Sequence, residues 1–104
     1  MPLRGNEDHH ITTEQAKALI QNYRRHAGPN DHKCGFFGRA VLEQILAQPG
    51  CIGIRAYYAR HEDGSNTLVL VGVDGAEKDM TAGTLAQNYQ PCPPYCDPTS
   101  TFQL

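Results

Sequence analysis

Apolar residues recur with two different periods along this chain, and the change of period divides it. Between Ile11 and Ala27 they fall at Ala16, Leu19, Ile20, Tyr23 and Ala27. That i, i+3, i+4, i+7 stripe predicts an amphipathic helix, with Lys17, Gln21, Arg24 and Arg25 on its wet face. Thr12 and Gln15 form a capping box, and Ile11 can staple onto Ala16. Gly28-Pro29 stops the helix. Residues 30–35 read as a polar connection. Phe37, Val41, Leu42, Ile45 and Leu46 then repeat the helical period, predicting a second helix from about Phe37 to Gln48, ended by Pro49-Gly50.

Past Gly50 the period falls to two. Cys51 to Arg60 predicts a strand, with Ile52, Ile54, Ala56 and Tyr58 on one face and Gly53, Arg55 and Tyr57 on the other. His61 to Asn66 is a hairpin loop with Asp63-Gly64 as its turn signal. Thr67 to Asp74 is the return strand, apolar on both faces and so expected to be covered on both. Glu77 to Met80 suggests a short third strand, and Thr81 to Tyr89 a single helical turn. From Gln90 on, Pro91, Pro93, Pro94 and Pro98 argue against regular structure.

A lone two-stranded hairpin is marginal in water. The pattern therefore implies an α+β fold: two N-terminal helices packed on one face of a small antiparallel sheet built on the central hairpin. The irregular tail, rich in cysteine and proline, is expected across that sheet or along its edge. The expected organisation is a flexible N-terminus over 1–10, a single α+β domain over 11–90, and a tail over 91–104 packed on the domain.

Composition narrows the function classes. A length of 104 residues is one ordinary domain. A net charge of −2, with one short basic cluster at Arg24-Arg25-His26, offers no field for nucleic acid. No apolar run approaches the ~20 residues that span a bilayer, so no membrane partner is expected. The first ten residues lack the apolar centre of a signal peptide. A cytoplasmic location follows as the expectation, and there cysteine pairs lean toward metal or redox roles.

Four cysteines carry the candidate chemistry. Cys92-Pro93-Pro94-Tyr95-Cys96 has the spacing of half a zinc site. Two more ligands would have to come from Cys51, Cys34, His32 and His61. Against zinc, Pro93 and Pro94 lack the backbone N–H groups that such turns offer to their sulfurs. A disulfide is the second reading. Closing the short loop would contribute about 2 kcal/mol, and linking Cys51 to the tail about 4 kcal/mol. Small buried free thiols are the third. Cys34, beside Lys33, is expected just ahead of the second helix, where a helix N-terminus favours a thiolate nucleophile. His32 or His61 would serve it as base, oriented by Asp31 or Glu62; a plain loop thiol is the alternative. Arg55, Tyr57 and Arg60 stand on the first predicted strand; Arg55 and Tyr57 share a face and suit an anion or a peptide, or else ordinary cross-strand packing. His9 and His10, with Glu7 and Asp8, read as a solvated tail. Gly35-Phe36-Phe37-Gly38 has no phosphate-loop lysine and follows no predicted strand, which excludes a nucleotide loop.

Gly50-Cys51-Ile52-Gly53-Ile54-Arg55-Ala56-Tyr57, Leu68-Val69-Leu70-Val71-Gly72-Val73-Asp74, Asp79-Met80 and Cys92-Pro93-Pro94-Tyr95-Cys96 together resemble a group of small uncharacterised bacterial proteins. Those proteins are of similar length and end in a Cys-Pro-Pro-x-Cys tail. The resemblance covers residues 11–97 and brings no activity with it. It implies that Cys51, Cys92 and Cys96 form one site, holding a metal or a labile disulfide with one thiol spare, and that Cys34 lies outside it.

Taken together, the residues suggest a non-enzymatic binding or interaction module with a structural cysteine site, closed by zinc or by a disulfide. A protein partner or a second copy would dock on the doubly apolar strand. The alternative is a thiol-dependent redox protein using Cys92 and Cys96. It lacks the C-x-x-C spacing and the following helix of such proteins.

Overall fold

The computed structural model describes residues 2–29 and 31–103. Met1, Asn30 and Leu104 lie outside the described residues, Asn30 within the predicted 30–35 connection. The architecture is α+β: two helices and two small antiparallel sheets around a central hairpin. Among the described residues no helix is long and apolar enough to cross a membrane.

The first helix, α1, runs Thr13–His26. Its capping box forms as the sequence predicts. The Gln15 N–H donates to Thr12 Oγ1 at 3.1 Å, and the Thr12 N–H donates to Gln15 Oε1 at 2.8 Å. Arg24, Arg25 and His26 close the last turn, where positive charge suits the helix dipole. The apolar stripe is not buried, however. Leu19 is 60% and Tyr23 44% exposed, and no α1 residue is fully buried. The helix is tied down near its C-terminal end instead: the Tyr23 hydroxyl donates to the His32 carbonyl at 2.8 Å.

After β1 (Cys34–Phe36) comes α2 (Arg39–Leu46), shorter than its periodicity suggests. Gly38 at its N-cap offers no side-chain acceptor, and Phe37 stays ahead of the helix while still packing on the core. This helix supplies Ile45, which is fully buried against Leu70 and Ala86. Strands β2 (Cys51–Arg60) and β3 (Asn66–Asp74) form the hairpin, with Tyr58 opposite Leu68 and a bulge between Cys51 and Gly53. Gly72 faces Ile45 of α2 and the residues that follow it. A Cβ there would lie 2.8 Å from Gln48 Nε2, 3.1 Å from Cys51 Sγ and 3.3 Å from Ile45 Cγ2. A side chain there would have to push Gln48, Cys51 and Ile45 aside, so glycine suits this packing.

Leu70, Val71 and Val73 are all buried, and because successive residues alternate faces, β3 is covered on both sides as expected. Each such side chain contributes roughly 1.5–3 kcal/mol. The third strand of this sheet is β4 (Leu85–Ala86), which pairs with β3. The structure therefore corrects two expectations. Residues 77–80 make only a bridge, Val73 to Asp79, and residues 81–89 hold a strand rather than a helical turn. The reason is local. Asp74 Oδ1 accepts the N–H groups of Ala76 and Lys78, turning the chain tightly, and the Thr84 N–H is claimed by Gln48 Oε1 at 3.0 Å. Residues 85–86 are thereby delivered to the edge of β3.

The tail departs further from expectation. Instead of crossing the main sheet, residues Gln90–Cys92 form β5, which pairs with β1 in a separate two-stranded sheet. Pro91 stands opposite Gly35 in that ladder. A proline cannot donate, but at a sheet edge its carbonyl can still accept.

Candidate functional site

The two sheets meet at Tyr89, which lies between β4 and β5. Its ring covers Gly35 so closely that a Cβ there would lie 2.7 Å from Cδ2. Phe37 and His32 meet the ring edge-on, at 5.9 and 5.5 Å between centroids. The Tyr89 hydroxyl donates to the Asn66 carbonyl at 3.2 Å and lies 2.9 Å from His32 Nδ1. With its hydrogen committed to Asn66, the hydroxyl can only accept from His32. A proton is thereby assigned to His32 Nδ1. One phenol thus joins the segment before β1 to the far end of the hairpin. Burial raises the Tyr89 pKa, with Tyr23 and Cys34 adding to it, so the hydroxyl stays protonated and can donate.

Around this hub lies a cleft of about 720 Å³, lined by Tyr23, His32, Cys34, Tyr58, Arg60 and Thr67 among others. Tyr58 is 95% exposed at its rim. Among the described residues Arg60 has no ion-pair partner. Thr67 is only 7% exposed, and its hydroxyl has no hydrogen-bond partner among the described residues. A buried polar group left unmatched costs about 1–3 kcal/mol.

Each cysteine now has a place. Cys92 and Cys96 are joined by a disulfide across a Cα separation of 4.9 Å, with Cys92 fully buried. Cys34 is a free, exposed thiol in β1, directly opposite Cys92 in the ladder. The Lys33 N–H donates to the Cys92 carbonyl at 2.7 Å. Cys34 was expected at the start of a helix; α2 begins only at Arg39, so it is a strand thiol. Cys51 is free and half-buried in the core under α2, its Sγ 3.2 Å from the Gly53 carbonyl oxygen. It opens β2, while Arg60 at the cleft closes that strand. Ten residues at about 3.3 Å each separate the two by ~30 Å.

No family model, curated protein or solved structure matches this chain.

Zinc does not fit the sulfurs as placed. The Cys92 and Cys96 sulfurs bind one another, and the Cys51 thiol turns to a carbonyl. His32 Nδ1 is engaged by Tyr89, and His61 lies in the hairpin loop. Among the described residues no group of three or more His, Cys, Asp or Glu side chains is arranged to hold a metal ion. His10 turns to Asp8 at 3.0 Å in the exposed N-terminal segment.

Arg55 and Tyr57 are claimed by a partner the sequence reading missed. Arg55 Nη1 meets Asp79 Oδ1 at 2.5 Å, and the Tyr57 hydroxyl donates to Asp79 Oδ2. The Tyr57 hydroxyl, and after it Arg55, holds the Asp79 carboxyl below its ordinary range, against the opposing effect of burial. Asp79 in turn raises both Tyr57 and Arg55. One carboxylate satisfies both side chains, so this group pins the 74–80 turn to β2. Tyr89, Tyr58 and Thr67 were also absent from the sequence-level candidates. Only their pairing across the fold brings them together, and no local spacing marks it.

Proposed function

We propose that this chain is a binding module, and that its cleft takes a short peptide segment of a partner protein bearing a carboxylate. The reading is carried by Arg60, which lines the cleft with no ion-pair partner among the described residues. The cleft's volume lies within the usual range for ligand sites. Tyrosine and arginine, the residue types most often dominant in recognition, line it at Tyr23, Tyr58, Tyr89 and Arg60. Arg60 supplies the charge that a carboxylate would meet with paired hydrogen bonds. In this reading the Cys92–Cys96 disulfide is a clip. It stiffens the turn after β5, and β5 holds the β1 wall of the cleft.

The test is a nuclear magnetic resonance titration of the folded protein with a panel of tri- to pentapeptides carrying free carboxylates. Binding should shift the resonances of Tyr58, Arg60, Thr67 and Tyr89 together. Arg60→Ala should abolish the shifts while leaving the melting temperature unchanged. Millimolar peptide that leaves those four residues unmoved refutes the reading.

A further inference from the structure

Strand pairing sets up a second relation, at the β1 wall of the cleft. Cys34 and Cys92 are direct cross-strand partners in the β1–β5 ladder. Directly opposed residues of an antiparallel pair hold their Cα atoms about 4.5–5.5 Å apart, with side chains on the same face. Disulfides bridge Cα separations of about 4.4–6.8 Å. The bonded pair, Cys92 and Cys96, stands at 4.9 Å. Cys92 therefore has two sulfur partners within reach, one bonded and one free. Their access to solvent differs in a telling order: Cys92 is fully buried, Cys96 half-buried and Cys34 exposed. An external thiol cannot approach Cys92, but it can approach a sulfur that Cys92 hands to the surface.

We propose that Cys34, Cys92 and Cys96 form a thiol–disulfide exchange site, with Cys34 as the relay to the surface and an accessible peptide or protein dithiol as substrate. In the first step Cys34 loses its proton to solvent and its thiolate attacks Cys92 Sγ. The Cys34–Cys92 bond forms as the Cys92–Cys96 bond breaks, and Cys96 leaves as a thiolate that takes up a proton. The chain is isomerised, with no net oxidation. In the second step a substrate thiolate attacks Cys34 Sγ, forming a mixed disulfide and releasing Cys92 as a thiolate that is then protonated. The substrate's second thiolate attacks its own sulfur in the mixed disulfide, leaves as an oxidised disulfide, and returns Cys34 as a thiol. Two electrons pass from one substrate dithiol to one protein disulfide. The reaction is complete at one equivalent per chain, with no further oxidant.

Two measurements test this. First, Cys96→Ser is oxidised with glutathione disulfide, its free thiols are alkylated under acid quench, and its peptides are mapped by mass spectrometry. The Cys34–Cys92 linkage should be the dominant product. Glutathione retained on Cys34 or Cys92 without that linkage overturns the proposal. Second, oxidised wild-type chain is mixed with one equivalent of a synthetic dithiol peptide, and oxidation of the peptide is followed. Cys34→Ser should slow this at least tenfold, and the trapped mixed disulfide of the wild type should map to Cys34. An unchanged rate in Cys34→Ser, or a mixed disulfide on Cys96, overturns it. Wild-type trapping needs no variant, so a variant that fails to fold leaves the proposal still exposed to refutation. Cys34 lines the same cleft as Arg60, but the Cys34–Cys92 linkage in Cys96→Ser forms without any peptide, so loss of peptide binding and loss of exchange are separately visible.

Discussion

Reducing the Cys92–Cys96 disulfide should lower the melting temperature by an amount the chain itself sets. The perturbation is cleanest in a Cys34→Ser background, where Cys92 has no second sulfur opposite it. The bonded residues are separated by four positions. The chain-entropy relation gives so short a loop about 2 kcal/mol of stabilisation. Unfolding entropy is about 2.1 cal/mol/K per residue near the transition. Over 104 residues, 2 kcal/mol then corresponds to a shift of about 9 °C. The assay is a pair of thermal melts by circular dichroism, oxidised and reduced, at matched protein concentration. A fall of less than about 2 °C would refute the reasoning, because it would mean that the turn after β5 adds nothing to the fold. The same arithmetic yields a larger effect for the isomer. A Cys34–Cys92 bond closes a loop of roughly 60 residues and would contribute about 4 kcal/mol. Oxidised Cys96→Ser should therefore gain about twice as much over its own reduced form as the clip gives Cys34→Ser.

Three further substitutions probe the frame. Gly72→Ala drives a methyl against Gln48, Cys51 and Ile45, and overpacking of that kind costs ~1–3 kcal/mol; a urea titration showing no loss would mean α2 does not sit where described. Tyr89→Phe strips the partner from His32 Nδ1 and the Asn66 carbonyl and should cost about 1–3 kcal/mol, read the same way. Asp79→Asn tests the sign of a pH dependence. The native Asp79 carboxyl is held below its unfolded value, so its contribution is complete above the unfolded pKa of about 3.9 and fades as pH falls toward the native one. The stability gap between wild type and Asp79→Asn should be constant near pH 6 and close below about pH 4; a gap indifferent to pH would contradict the pairing with Arg55 and Tyr57.

The elements legible in the sequence are those whose pattern repeats within themselves. α1 announces itself by its stripe and capping box, and the hairpin by its alternation and Asp63-Gly64 turn. Strands β1, β4 and β5 carry no such signal, because two or three residues cannot show a period. They are strands only because a partner is delivered to them. For β1 and β5 that partner is more than fifty residues away in sequence. Proline misled for a related reason: Pro91 rules out a donor, yet an edge position asks only for an acceptor. The cysteine spacing rightly marked Cys92 and Cys96 as a pair. Placement of the third sulfur depended on which strand met the tail, and strand choice is a tertiary fact. Thr67 illustrates the same limit, since an unmatched hydroxyl exists only once its surroundings are built.

The openness of α1 has a consequence for how the molecule breathes. A fourteen-residue helix is marginal alone in water, and this one adds no fully buried side chain to offset that. It should therefore detach at far lower cost than the hairpin unfolds, as a cooperative unit of its own. In hydrogen–deuterium exchange its amides should label well before those of β3. Since Tyr23 belongs to both α1 and the cleft, each such excursion would swing one wall away and leave the pocket briefly ajar.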